Sequence, residues 1–327
     1  MNIRFAVLPL IALSLVSCQK KPTSEPTIQV QPNSVEPSHA GNLSYKAYRN
    51  LIGEPGNISI VPSSLNNTLF YFSGELNEEE REKIKNWNNL KNPSDPQNEL
   101  KSKLTIVPGK KKSAPSVSSQ FEFQGKFVTP FSSDPALIGN FQASPYATKS
   151  VPIMQQIAEF PFFSDADSKW VKLTFVDSPI TALLALPKNK FELAKIENKL
   201  DETYLSNIEK NLKKEKVEVV LPNFKIENQR NLNEVFLSLG SDFLYRNKAF
   251  TKKSAYSKGT LPEVTQTTVY GLNHLGMNVT GSTHFEKTTK KDLNLIFKKF
   301  HAIEPFLLVL RNSKTNELLM LARVYQP

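Results

Sequence analysis

The 327-residue chain has one cysteine, Cys18, so no disulfide can staple the fold internally. Its four histidines, His39, His274, His284 and His301, stand far apart, and none shares a metal-ligand spacing with a cysteine or another histidine. H-E-x-x-H, G-x-S-x-G, P-loop and G-x-G-x-x-G motifs are all missing. No catalytic residue, metal or cofactor is therefore expected, and the chain reads as a non-enzyme. Long hydrophobic runs are scarce too: the stretch from Phe5 to Leu15 is broken by Pro9 and Ser14 and is too short for a comfortable membrane span. What is in excess is positive charge, a formal +10. The lysines at 110–112, 213–216 and 298–299 are scattered and lack interleaved aromatics or a nucleic-acid motif. They read as a solvated face: nucleic acid is not expected as a partner, and a polyanion is admitted on general electrostatics.

Arg4, the apolar run and the small residues before Cys18 have the layout of an export signal. Leu15-Val16-Ser17-Cys18 resembles the lipobox of a bacterial lipoprotein. That resemblance implies a signal peptide over 1–17, cleavage before Cys18, acyl chains on Cys18 and a membrane-anchored protein of the bacterial cell envelope. Residues 18–41, rich in Pro, Ser, Thr and Gln, read as a flexible tether. From 42 to 327 no comparable break recurs, and 21 phenylalanines help supply one sizeable core, so one domain is expected.

Within that domain Asn57 to Pro62 is a short extended run, with Ser63 or Ser64 able to cap a helix that closes near Gly74. Leu76 to Leu90 reads as a second helix capped by Asn77, with Glu78, Glu79 and Glu80 placed favourably in its first turn. Residues from about 90 to 117, with four prolines and many lysines, read as a long irregular connection. Strands are expected at 117–123, 151–163, 170–175, 181–186 and 217–224, with helical segments between 192 and 212. The run 181–186 is continuously apolar, as in a strand buried on both faces. Asn231 to Gly240 reads as a short helix, and 306–310 with 318–324 as an apolar hairpin. Helices first, then mostly antiparallel strands, give an α+β domain. Between Met277 and Glu286 apolar or small and polar residues alternate, the period of a half-buried strand, before the polar run from Lys287 to Lys291. The segment reads either as an edge strand followed by a solvated turn or as a loop able to become a strand.

The order of motifs resembles the serpins. Asn57-Ile-Ser-Ile-Val-Pro62-Ser63 is similar to N-x-x-x-S-P-x-S, and Phe123-Gln-Gly125-Lys126-Phe127-Val-Thr129-Pro130-Phe131 to F-K-G-x-W-x-x-P-F. Val151-Pro152-Ile153-Met154-Gln155 approximates V-x-M-M-x-Q, and Leu221-Pro222-Asn223-Phe224 with Leu232 to Gly240 resembles L-P-K-F and the helix after it. Phe300 to Leu307 and Ala322-Arg323-Val324-Tyr-Gln-Pro327 resemble F-x-A-D-x-P-F-L and G-R-V-x-x-P. The resemblance implies a serpin-like domain over 42–327, shortened between about 90 and 117, with amino-terminal helices, large mostly antiparallel sheets and an exposed reactive-centre-like loop.

It also implies a functional loop. Leu272 to Gly276 falls where the family's V-N-E-E-G opens the hinge, which here is Gly276, Met277, Asn278, Val279, Thr280, Gly281, Ser282 and Thr283. A loop of usual length puts the reactive bond after Lys290, with Lys291 as the shifted alternative. A lysine there would present its cation to the carboxylate at the base of a trypsin-like primary pocket. The expectation is a monomeric inhibitor of a trypsin-like serine protease, acting by loop cleavage and insertion of the loop as a new central strand. The alternative is a non-inhibitory, surface-anchored binder of a host or envelope partner. Met277 stands where inhibitory hinges usually carry Thr or Ser, and Val279 to Ser282 where they carry alanines.

Overall fold

The computed structural model describes residues 39–88, 101–107, 116–132, 137–238, 240–241, 249–252, 254, 264–279 and 298–327. All belong to one compact unit, Pro37–Pro327. The expected signal peptide, Cys18 and most of the tether lie outside the described residues. The first helix, α1 (His39–Leu51), begins inside the stretch expected to be tether. Its Tyr45, Tyr48 and Leu51, three residues apart, share one face and are buried.

β1 (Ile58–Ile60) leads into α2 (Pro62–Glu75) and α3 (Glu78–Asn88). The expected serine cap of α2 is replaced by Pro62 in the first turn, after a Val61 that offers no side-chain bond. Proline suits that place because its missing N–H would have had no helical partner and its φ is already set. For α3 the expected cap holds, with Glu80 N donating to Asn77 Oδ1 at 3.0 Å.

Two sheets make up the rest. One consists of β1, β4 (Ile138–Ser144), β5 (Ala147–Ser164), β6 (Ser168–Thr174), β7 (Ile180–Pro187), β8 (Lys213–Pro222), β12 (Lys298–His301), β13 (Phe306–Asn312) and β14 (Leu318–Val324). Its order is β1-β14-β13-β7-β6-β5-β8-β12, with β4 added to β5. The other has the order β2-β3-β11-β10-β9, built from β2 (Lys101–Val107), β3 (Ser116–Lys126), β9 (Phe224–Asn231), β10 (Val264–Asn273) and β11 (Gly276–Val279). Helices α4 (Leu193–Glu197), α5 (Glu202–Asn211) and α6 (Asn233–Ser238) complete the described elements. The segment expected to be an irregular connection thus holds a strand: β2 pairs with β3 from Lys101–Glu122 to Val107–Ser116. A neighbouring strand supplies the order that the lysine-rich sequence does not advertise.

The unbroken apolar runs have a direct cause. One hydrophobic cluster lies between the two sheets and contains Ala182, Leu184, Leu186, Leu308 and Leu310 from the first and Tyr270, Leu272 and Met277 from the second. Another cluster joins the opposite side of the nine-stranded sheet to the helices, taking Leu183, Ala185, Leu307 and Val309 with Tyr45, Tyr48 and Leu205. Successive residues of β7 and β13 therefore enter different cores, so neither strand has a solvent face. Arg323 of β14 ties this sheet to the α1–β1 connection by donating to the carbonyls of Gly56 and Ile52, both at 3.0 Å.

Candidate functional site

β10 carries the chain toward the expected hinge and reverses it in one tight turn. Asn273 Oδ1 accepts from the backbone N–H of Leu275 at 2.9 Å and of Gly276 at 3.0 Å, so a single side chain shapes the reversal. The returning segment, β11, pairs antiparallel with β10 on one side and with β3 on the other. It is an interior strand, which overturns the reading of this stretch as an edge strand: both of its backbone edges are satisfied.

The entry to this strand is sterically selective. A Cβ on Gly276 would stand 2.0 Å from the carbonyl oxygen of Gly125, and one on Gly125 would meet the Phe175 ring at 2.6 Å. The two glycines face each other in the ladder one residue out of register, where the backbones approach too closely for side chains. Met277, the next residue, is fully buried in the cluster between the sheets. Its thioether adapts to the space beside the aromatic residues there.

Those aromatics brace the turn from below. Phe175 packs edge-on to Phe123, with centroids 5.1 Å apart, and stacks on Phe127 at 5.4 Å; Phe131 meets Phe127 edge-on at 5.4 Å. The same segment is fastened by its backbone, Phe127 N donating to Leu275 O and Phe131 N to His274 O, both at 2.8 Å. His274 is buried in this turn, and burial pushes its imidazole below the ordinary histidine pKa, favouring the neutral ring.

At the other end of the seam β3 and β10 touch directly, in parallel, from Val117–Val264 to Gln120–Thr267. The flanks of β11 have the same offset: Asn278 lies between Gln124 and Gly271, Met277 between Gly125 and Leu272, and Gly276 between Lys126 and Asn273, each flanking pair 147 residues apart like Val117 and Val264. The sheet is therefore a fork, open around β11 and closed beyond it, with one register throughout. Gln266, buried on the closed part, clasps the main chain of Val61: its Oε1 accepts from Val61 N at 3.3 Å and its Nε2 donates to Val61 O at 3.2 Å.

Of the expected site residues, Gly276, Met277, Asn278 and Val279 are brought together in β11. Thr280, Gly281, Ser282, Thr283, Lys290, Lys291 and Cys18 lie outside the described residues. Gly125, Gln266 and the phenylalanine brace were not singled out for this role by the sequence reading. The signal for Gln266 was its place within Val264-Thr-Gln-Thr-Thr-Val-Tyr270, a β-branched alternating run. Among the described residues no group of three or more His, Cys, Asp or Glu side chains is arranged to hold a metal.

Comparison with known proteins agrees with this architecture. An uncharacterized serpin-like protein of Thermococcus kodakarensis is 28% identical over 186 residues, covering 56% of this chain and 43% of that protein. Ovalbumin of Coturnix coturnix is 25% identical over 213 residues, covering 63% of this chain and 53% of its own length. The chain spans about half the length of these curated relatives. Among solved structures, human thyroxine-binding globulin superposes with a TM-score of 0.72 at 16% identity, covering 89% of this chain and 98% of that one. Uncleaved ovalbumin gives 0.71 at 16% identity, covering 89% and 99%. These two show a shared fold. The family profile described as Serpin (serine protease inhibitor) matches residues 116–327, most of the chain and every strand of the fork, and the chain belongs to the serpin family.

Proposed function

We propose that this serpin inhibits a trypsin-like serine protease by loop cleavage and strand insertion, with Lys290 as bait and Lys291 as the shifted alternative. The observation that carries the reading is the fork: the hinge already occupies the first positions of a strand between β3 and β10. If the inserted loop kept this register, Thr280 would fall between Glu122 and Val269, and Phe285 between Val117 and Val264, the last pair of the closed part. No strand has to slip, so no side chain has to change face. In such a strand Val279, Gly281, Thr283 and Phe285 would share the inward face of Met277, while Asn278, Thr280 and Ser282 would share the other.

The protease serine would attack the Lys290 carbonyl and form an acyl bond as the peptide bond to Lys291 breaks, releasing a new amine at Lys291. Insertion would then carry the acylated protease away from its substrate-binding geometry before water attacks. Mixing the protein with trypsin tests this on a denaturing gel: a stable covalent complex cut after Lys290 is expected, and Lys290→Ala abolishes it. Trapping that survives Lys290→Ala and is lost with Lys291→Ala moves the bond by one residue. Cleavage with no complex and fully active trypsin overturns inhibition and leaves a binding scaffold. Cleavage at Lys290 is also expected to raise the Tm sharply, because the inserted loop completes the sheet.

The protein is further proposed to sit on a membrane of the bacterial envelope through acyl chains on Cys18. Cells expressing it and fed a palmitate analogue should label the protein, and Cys18→Ser should remove the label.

A further inference from the structure

The turn that feeds β11 is held from two directions. Within it, Asn273 Oδ1 accepts from Leu275 N and Gly276 N; from outside it, Phe131 N and Phe127 N donate to the carbonyls of His274 and Leu275. Between these two sets of bonds stands His274, only 4% exposed. Where the resembled V-N-E-E-G has its first carboxylate, this chain has an imidazole. A group that stays charged at neutral pH is thus replaced by one whose charge changes between about pH 5 and pH 8.

A proton on that ring is poorly tolerated in the folded turn. Burial disfavours the charged form, and burial is the cause that shifts His274. Segment 127–132, which fastens the turn, has no ionisable side chain. The charged residues on the other elements about the turn, Lys126 of β3, Lys225 of β9, Glu159 of β5 and Asp177 beyond Phe175, are all exposed. What the turn holds is short: β11 has four residues, its Gly276 fits closely against Gly125, and Met277 enters the cluster between the sheets. A turn that opens to let the ring reach water gives up the bonds from Phe127 and Phe131, and with them the fixed point from which β11 enters the sheet.

We propose that His274 is a proton-operated latch on the hinge: neutral, it keeps β11 between β3 and β10, and protonated, it leaves the turn and releases β11 while the rest of the fold stands. The hinge is held at neutral pH and freed in acid. His301, the other histidine whose side chain is described, pairs with Glu218 at 2.9 Å across β12 and β8 and is no part of the turn. The latch rests on the geometry of the turn and stands whether or not the protein traps a protease.

Amide hydrogen exchange of the full chain between about pH 7.5 and about pH 5, with the intrinsic exchange rates divided out, tests the proposal. Opening at Met277–Val279 is expected to be more frequent than at Leu307–Leu310 and to rise at least about tenfold on acidification. His274→Gln and the apolar His274→Leu should each remove the rise, and one folded variant of the two suffices. His301→Gln should keep it. Equal opening of the two segments at every pH, no rise in the unaltered chain, a rise that survives in a folded His274 variant, or its loss in His301→Gln would each overturn the proposal.

Discussion

The two sheets solve opposite problems. In the nine-stranded sheet β7 and β14 are buried at every residue, whereas β10 of the five-stranded sheet alternates buried with half-buried positions along most of its length. A strand with two buried faces cannot leave without opening two cores. A strand with one can be spread from its neighbour while its apolar side stays on the same packing surface. The nine-stranded sheet is thus the floor beneath the seam between β3 and β10, and the phenylalanines around Phe175 mark where floor and seam meet.

Several substitutions would break or sharpen that contrast. Leu308→Ala, in the fully buried part of β13, should cost the most, about 4 kcal/mol in urea denaturation, because it removes buried methyl groups and leaves a cavity. It should leave hydrogen exchange along Val264–Thr267 unchanged relative to global unfolding. Gly276→Ala acts on the seam: its Cβ would collide with the Gly125 carbonyl, at a cost of about 3 kcal/mol, and β11 should lose exchange protection at Met277–Val279. Gln266→Ala removes the partner of Val61 N and leaves Val61 O with Leu65 N alone, and should cost about 1–2 kcal/mol, with faster exchange confined to the closed end of the seam.

The smallest effects separate the regions by sign. Folding holds the His274 pKa below that of the unfolded chain. As pH falls beneath about 6.5 the unfolded state takes up a proton that the folded state refuses, and stability drops. Glu197, between Tyr48 and Arg323, is pushed up by burial more than those two partners pull it down. The folded state therefore holds a proton longer, and stability drops as pH rises above the unfolded carboxylate value of about 4.3. Denaturation midpoints across pH should lose the first slope in His274→Gln and the second in Glu197→Gln, each at most about 1.4 kcal/mol per pH unit.

The legible parts of the sequence are those whose cause is local or two-sided. Thr181 to Leu186 announced a doubly buried strand because both neighbouring layers demand apolar residues, and Asn77 announced α3 because a cap acts within three residues. The alternation from Met277 onward announced a strand but not its place in a sheet, which depends on partners about 150 residues away. β2 was missed because Lys101-Ser-Lys-Leu-Thr-Ile-Val107 is ordered by β3 rather than by its own pattern. Gly125 is unremarkable alone, and its importance appears only against Gly276.

The constant offset across the fork has a further consequence, best put in the language of strand exchange. If the proposed insertion takes place, the tip of β11 would be a three-way junction at which a third strand displaces one ladder in favour of two, as in branch migration between nucleic acids. In the proposed insertion the first two residues of advance would give up no β3–β10 pairing, because that pairing stops at Gln120–Thr267, and each later one would give up one pairing and gain one on either side. With a uniform register there is no misaligned waypoint along the track. In that proposal the junction would act as a ratchet, and the Gln266 clasp on Val61 stands where the closed part would have to yield.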